Sequence, residues 1–181
     1  MATYADAQEM TALRSLSASI GRSPNLTQAA GGNTSLKAGD TLWIKASGTW
    51  LKDALSEDIM VPVAMTPLLR AVDQHDSAAD QPQIFAIETL NVRRLRPSIE
   101  TTVHALMPQR VVLHVHCVET ISLAVQADCE VEAAKRLNGL KWAYVPYFRP
   151  GLPLAQGIAA RLQPGVDVLI LANHGLVVAA D

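Results

Sequence analysis

The stretch VVLHVHCV, residues 111–118, decides how the rest of the chain is read. Its apolar, β-branched run is that of a buried strand, yet it spends two alternate positions on histidine. Strand side chains alternate with a period of two, so His114 and His116 project to one side while Leu113, Val115 and Cys117 face the other. Two imidazoles on one side can share an ion. Either histidine alone would suit a core position satisfied by a hydrogen bond, so the strand by itself leaves both readings open.

Moving outward, the run VDVLILA at 166–172 reads as a strand buried beside the first, and Asn173-His174-Gly175 ends it ahead of a second apolar run, LVVAA. His174 is thus a third candidate imidazole. Three nitrogen ligands are what a catalytic zinc site uses while keeping one position for substrate. On the other side, Ser98 after Arg96-Pro97 is placed to cap a helix running through Glu100, His104 and Met107 into the His-x-His strand. In the first turn of that helix Glu100 suits the helix dipole and a pair with His104 one turn on. Beside a metal it would instead move protons or add a ligand.

Residues 5–20 carry Met10, Leu13, Leu16 and Ile20 at helical spacing and read as an amphipathic helix. NTSLK and TLWIKA, separated by Ala38-Gly39-Asp40, read as a β-hairpin, and SGTW turns the chain out of its second strand. SEDIMVPV leads through a turn into a short strand, and Thr66-Pro67 reads as the cap and first residue of a helix reaching about Ala71. The run DQHDSAADQP, residues 73–82, has no periodicity and reads as a mobile loop or insertion. Further helices are expected near 120–125, 130–137 and 154–162, with a short strand at 142–145. Short strands mixed with helices argue for an α/β layered domain around one sheet.

Two small-residue turns, Gly31-Gly32-Asn33-Thr34 and Ser47-Gly48-Thr49, are made neighbours by the hairpin. Each offers backbone N–H groups and hydroxyls to an anion, and each equally suits ordinary turn chemistry.

At 181 residues and 49% apolar, the chain fits one domain with a full core. Its 15 basic and 17 acidic residues are dispersed, which gives no electrostatic grip on nucleic acid or an anionic membrane. No apolar run approaches the roughly 18 to 20 residues of a membrane span, and the N-terminal sequence lacks the order of a secretory signal, so a cytoplasmic protein is expected. Cys117 and Cys129 are too few for a disulfide framework and read as reduced packing residues.

In this order, GGNTSLK (31–37), IKASGT (44–49), PSIETTVHALMP (97–108), VVLHVHCV (111–118) and ANHGLVV (172–178) resemble the class II aldolase and adducin family. The likeness is greatest to zinc-dependent aldolases acting on deoxyketose phosphates, including the aldolase portion of rhamnulose-phosphate aldolase/dehydrogenase fusion proteins. The resemblance implies a layered α/β fold with a central mixed or antiparallel sheet flanked by helices, and one such domain over residues 1–181. It implies that His114, His116 and His174 hold Zn²⁺ and that Glu100 moves protons. It implies that Asn33, Ser47, Gly48 and Ser98 hold the phosphate of a small-molecule sugar substrate.

The reaction implied is retro-aldol cleavage of a ketose phosphate through a metal-stabilised enediolate, in a cyclic homotetramer. Epimerases and dehydratases use the same fold and metal, and an adducin-like interaction module uses the fold alone. Two departures from the family pattern stand out. Ser98 is followed by Ile99 where two serines are common, and the sequence stops at Asp181, ahead of the C-terminal helices that can supply a catalytic tyrosine.

Overall fold

Alternate side chains of the strands pack against helices on both faces of one sheet. In a computed structural model, which describes residues 5–181, the element order is α1 (Ala7–Gly21), β1 (Asn33–Ala38), β2 (Thr41–Lys45), β3 (Met60–Ala64), α2 (Met65–Asp73), α3 (Thr101–Leu106) and β4 (Val111–Val115). It continues with α4 (Val118–Ala124), α5 (Cys129–Arg136), β5 (Trp142–Val145), α6 (Leu152–Ala159), β6 (Val168–Leu171) and β7 (Gly175–Ala180). The seven strands lie in the order β3-β2-β1-β4-β7-β6-β5. Every neighbouring pair is antiparallel except β5 with β6. The sheet is therefore mixed and the layered α/β expectation holds.

The period-two rule sorts the core. On β6, Leu169 and Leu171 join a cluster with Val103 of α3 and Leu154 and Ile158 of α6, whereas Ile170 packs with Leu123, Cys129 and Ala133 of the α4 and α5 side. On β4, Val112 belongs to the α3 and α6 side while Val111 packs toward Leu13 and Leu36 on the α1 side. His114 has the parity of Val112, so it is turned toward α3. β4 sits in mid-sheet, with Asn33 of β1 opposite His114 on one side and Val177 of β7 opposite it on the other.

Four local expectations are corrected. β4 stops at Val115, because the chain then turns to donate Val118 N–H to Asn25 O and start α4, so His116 lies just past the strand. α3 starts at Thr101 and Glu100 is its cap, one position before the first turn. Pro108 bars its continuation. α2 starts at Met65, ahead of Thr66, and its first turn is capped from the hairpin, where Asp40 Oδ1 accepts from Thr66 N–H at 2.8 Å and Thr66 Oγ1 at 2.7 Å.

The fourth correction concerns residues 73–82, which carry short turns of their own and pack against α2 and α6. Ser77–Asp80 and Pro82–Phe85 form short 3-10 turns, and Ala79 is buried with Ala71, Val72, Leu152 and Ala155. Asp80 Oδ1 accepts the Leu152 N–H at 2.6 Å at the start of α6, and Gln156 Nε2 donates to His75 Nδ1 at 2.7 Å.

Candidate metal centre

Three imidazoles meet at the end of β4 and the turn between β6 and β7. Their ring centroids are 5.0 Å (His114 to His116), 4.8 Å (His114 to His174) and 5.6 Å (His116 to His174) apart. One nitrogen from each lies within 4.8 Å of the others. His174 is delivered by a tight turn in which Asn173 takes a left-handed φ of 53° and His174 N–H donates to Leu171 O at 3.1 Å. Gly175 follows because β4 passes too closely for a side chain, a Cβ there falling 2.5 Å from Val115 O. Gly31 plays the same part beside His116, since its Cβ would lie 2.9 Å from His116 Nδ1.

The protonation pattern follows from burial and hydrogen bonding. His114 is buried, and its Nδ1 lies 3.1 Å from Leu176 O, a carbonyl that only accepts. Nδ1 therefore carries the proton, and Nε2 keeps its lone pair toward the cluster. Burial pushes the His114 imidazole down to about 4 against the pull of Glu100, and burial lowers His116 as well. Near neutral pH both are neutral, the form that ligates a cation. His114 Nε2 and His116 Nε2 are buried with no hydrogen-bond partner among the described residues. Unpartnered buried nitrogens are costly, and a shared ion removes the cost. The donor set fits a divalent cation.

Glu100 supplies the negative charge. Its Oε1 is 3.2 Å from His114 Nε2 and 3.0 Å from His174 Nε2. These are close contacts, but Oε1 has no hydrogen bond of good alignment. Oε2, in contrast, accepts from Asn33 Nδ2 at 2.6 Å, and Ser98 Oγ accepts the Glu100 N–H at 3.2 Å. Burial would raise this carboxyl, yet the facing imidazoles of His114 and His174 outweigh it and bring it down to about 2. Near neutral pH the ionised carboxylate thus faces a neutral His114 imidazole.

The other residues singled out in the sequence divide into two groups. Asn33 and Ser98 are buried and both engage Glu100. Ser47 and Gly48 are exposed at the turn after β2, where Gly48 has φ of 77° and open space around it. The two turns are joined through a residue that sequence reasoning missed. Lys45, 1% exposed, donates Nζ to Ala30 O at 2.9 Å and to Thr49 O at 2.7 Å. Burial brings its ammonium down to about 8, with Glu100 pulling the other way. A lysine inside the apolar strand TLWIKA was the available signal, since buried lysines need a reason.

His104 was also passed over as a site residue. It is fully buried one turn after Glu100, with Nδ1 2.7 Å from Ser35 Oγ. It does not pair with Glu100, which turns to His114 and His174 instead.

Comparison with known proteins agrees with this architecture. A solved N-terminal class II aldolase domain of a conserved protein from Thermoplasma acidophilum superposes with a TM-score of 0.82 at 26% identity, covering 100% of this chain and 88% of that one. The L-fuculose-1-phosphate aldolase of Thermus thermophilus shares the fold at a TM-score of 0.60 and 16% identity, over 95% of this chain and 79% of that one. In Bacillus subtilis (strain 168), the protein named uncharacterized oxidoreductase YuxG is 28% identical over 171 residues, which is 87% of this chain and 24% of that protein. The chain thus spans about a quarter of the length of this curated relative. The family model of the class II aldolase and adducin N-terminal domain matches residues 13–181. With the fold, the three converging histidines and this match together, the chain belongs to the class II aldolase and adducin family.

Proposed function

We propose that this chain is a metal-dependent aldolase that cleaves a ketose phosphate by a retro-aldol reaction. The observation that carries the reading is the convergence of three imidazoles and one ionised carboxylate on a single point. His114, His116 and His174 would hold the ion, which we take to be zinc, leaving a position for substrate oxygens. When bound, such an ion polarises a carbonyl and stabilises the negative charge that develops next to it.

The protein's own residues supply the rest. Resting as a carboxylate, Glu100 is in the form that removes a proton from carbon in the condensation direction and returns it in cleavage. In cleavage the Glu100 carboxylate takes the proton of the hydroxyl on the departing carbon as the carbon–carbon bond breaks. The electron pair stays on the ketose fragment as an enediolate, and that same proton, returned from Glu100 to carbon, completes the fragment. The aldehyde leaves as the second product. Asn33 fixes one carboxylate oxygen, so the other stays aimed at the reacting centre. We assign the substrate phosphate to Asn33, Ser47, Gly48 and Ser98, where the open Gly48 backbone permits close approach. The reading treats residues 1–181 as one domain, working as a cyclic homotetramer in the cytoplasm.

The test is a retro-aldol assay of zinc-loaded protein against ketose 1-phosphates and pentose 5-phosphates, with products identified. Release of glycerone phosphate and an aldehyde is expected. Formation of an epimer, or loss of water, would replace this reading with another reaction of the same fold.

A further inference from the structure

A polar cavity whose lining includes none of the three histidines lies along the segment that joins α2 to α3. It has a volume of about 600 Å³ and is lined by Gln83, Glu88, Thr89, Asn91, Arg94 and Arg96 among others. That size suits a small molecule. Its walls are fixed to the sheet at both ends. Ala86 bridges to Val63 and Ile87 N–H donates to Pro62 O at 2.9 Å, while Arg96 O accepts the Ser47 N–H at 2.8 Å and Pro97 bridges to Ala46.

Between those anchors the chain is clamped by Asn91, whose side chain accepts from Leu95 N–H at 3.0 Å and donates to Leu95 O at 2.8 Å. Leu95 packs into the core beside Leu42 and Val63, which leaves the arginines on either side of it exposed. Arg94 is held at φ of 51°, a left-handed conformation unusual for a residue other than glycine.

The charges here are not spent. Arg93 donates to Asp58 O at 2.7 Å and lies 3.9 Å from Glu57. Among the described residues, no carboxylate comes within ion-pair distance of Arg94 or Arg96. Glu88 lines the same cavity, so two guanidinium groups outnumber one carboxylate.

We propose that this cavity binds the phosphate monoester of a small molecule, with Arg94 and Arg96 as its charged contacts and Gln83 and Thr89 as neutral hydrogen-bonding partners. The planar fork of a guanidinium matches phosphate oxygens in pairs, and two such forks on one clamped segment supply both charge and direction. Two sources share this chemistry. Arg96 and Glu100 are four positions apart in the chain, so their Cα atoms are at most about 14 Å apart. A phosphate on the sugar cleaved at the histidines and a separate phosphorylated ligand are both within that geometry. The proposal goes beyond the aldolase reading and does not depend on it.

The test is a titration of the full chain with inorganic phosphate, followed by ³¹P NMR line width, with the fold of each variant checked by circular dichroism. Saturable binding is expected, weakened roughly tenfold or more in the R94Q/R96Q double variant and tightened in E88Q. Phosphate held by the turn at Ser47 and Gly48 would survive the double substitution, so the lost component is the arginine-lined one. His116→Ala should leave that component unchanged, which separates this test from any failure at the metal centre. No saturable binding, or equal affinity in wild type and the folded double variant, overturns the proposal. The source is then read from kinetics. A raised KM for a ketose phosphate at unchanged kcat assigns the cavity to the substrate and moves the substrate phosphate there from the turn at Ser47 and Gly48, whereas an unchanged KM assigns the cavity to a separate ligand.

Discussion

Asn33 Nδ2 donates to Glu100 Oε2 at 2.6 Å, joining the first residue of β1 to the cap of α3 across 67 positions of sequence. With that oxygen pinned, the second faces His114 and His174 at 3.2 and 3.0 Å. In the proposed reaction Asn33 would therefore act by positioning the carboxylate. Asn33→Ala should lower kcat for cleavage by roughly 10- to 100-fold, the scale of a misplaced reacting group, with bound metal unchanged. Steady-state kinetics alongside metal analysis would check this, and a variant with full kcat would show that the pinning is not used.

Gly31 tests whether His116 must sit where it does. A Cβ there falls 2.9 Å from both His116 Nδ1 and Gln28 O, so Gly31→Ala has to displace the ring or the turn. Metal affinity, measured by competition with a chelating dye, should drop roughly 10- to 100-fold, as when the support of a ligand is disturbed. Unaltered affinity would remove His116 from the ligand set or show that the turn yields freely.

Much of this site was legible in sequence because strand periodicity is a local rule. The parity of residues 111–115 turns His114 toward α3, and the apolar run before His174 requires burial in the same sheet, although the strand that takes the place beside β4 is β7, which follows His174, and not β6. What sequence could not give was which partner each polar group chooses once long-range contacts form. Glu100 and His104 have the spacing of a helical pair, yet Glu100 is the cap and turns to three residues from other elements, while His104 turns to Ser35. Lys45 lies in an apolar strand, and only the folded approach of two turns gives its ammonium two carbonyls. The polar run at 73–82 failed for the same reason, since its order comes from α2 and α6 rather than from its own pattern.

That last contact carries a prediction. Asp80 satisfies the Leu152 N–H at the start of α6, the role of a cap supplied from elsewhere in the chain. Asp80→Ala should lower unfolding free energy by about 1 to 2 kcal/mol in urea denaturation. It should also expose residues 73–82 to limited proteolysis. Wild-type stability and cleavage pattern in the variant would return this segment to the loop that its composition suggests.

Buried histidines predict a pH dependence whose sign is fixed. Burial, reinforced by His114, lowers His104 from 6.5 to about 3, with Glu100 opposing, and His114 falls to about 4. Between pH 6.5 and 4.5 the unfolded chain takes up these protons and the native one does not, so stability falls as pH falls. Glu100, depressed instead, contributes stability that is present above 4.5 and lost as pH falls through about 2, outside that window. With chelator present to exclude metal linkage, His104→Gln should reduce the slope of unfolding free energy by up to about 1.4 kcal/mol per pH unit. Parallel slopes for wild type and variant would mean that His104 is protonated in the native state.

The central claim is that Glu100 exchanges a proton with carbon beside a carbonyl held at the three histidines. The most direct measurement is ¹H NMR of glycerone phosphate in D₂O with zinc-loaded protein and no aldehyde present. Exchange of one carbon-bound hydrogen is predicted, and it should vanish in Glu100→Gln with zinc retained. No exchange with the wild-type protein, or undiminished exchange in the variant, would contradict the account.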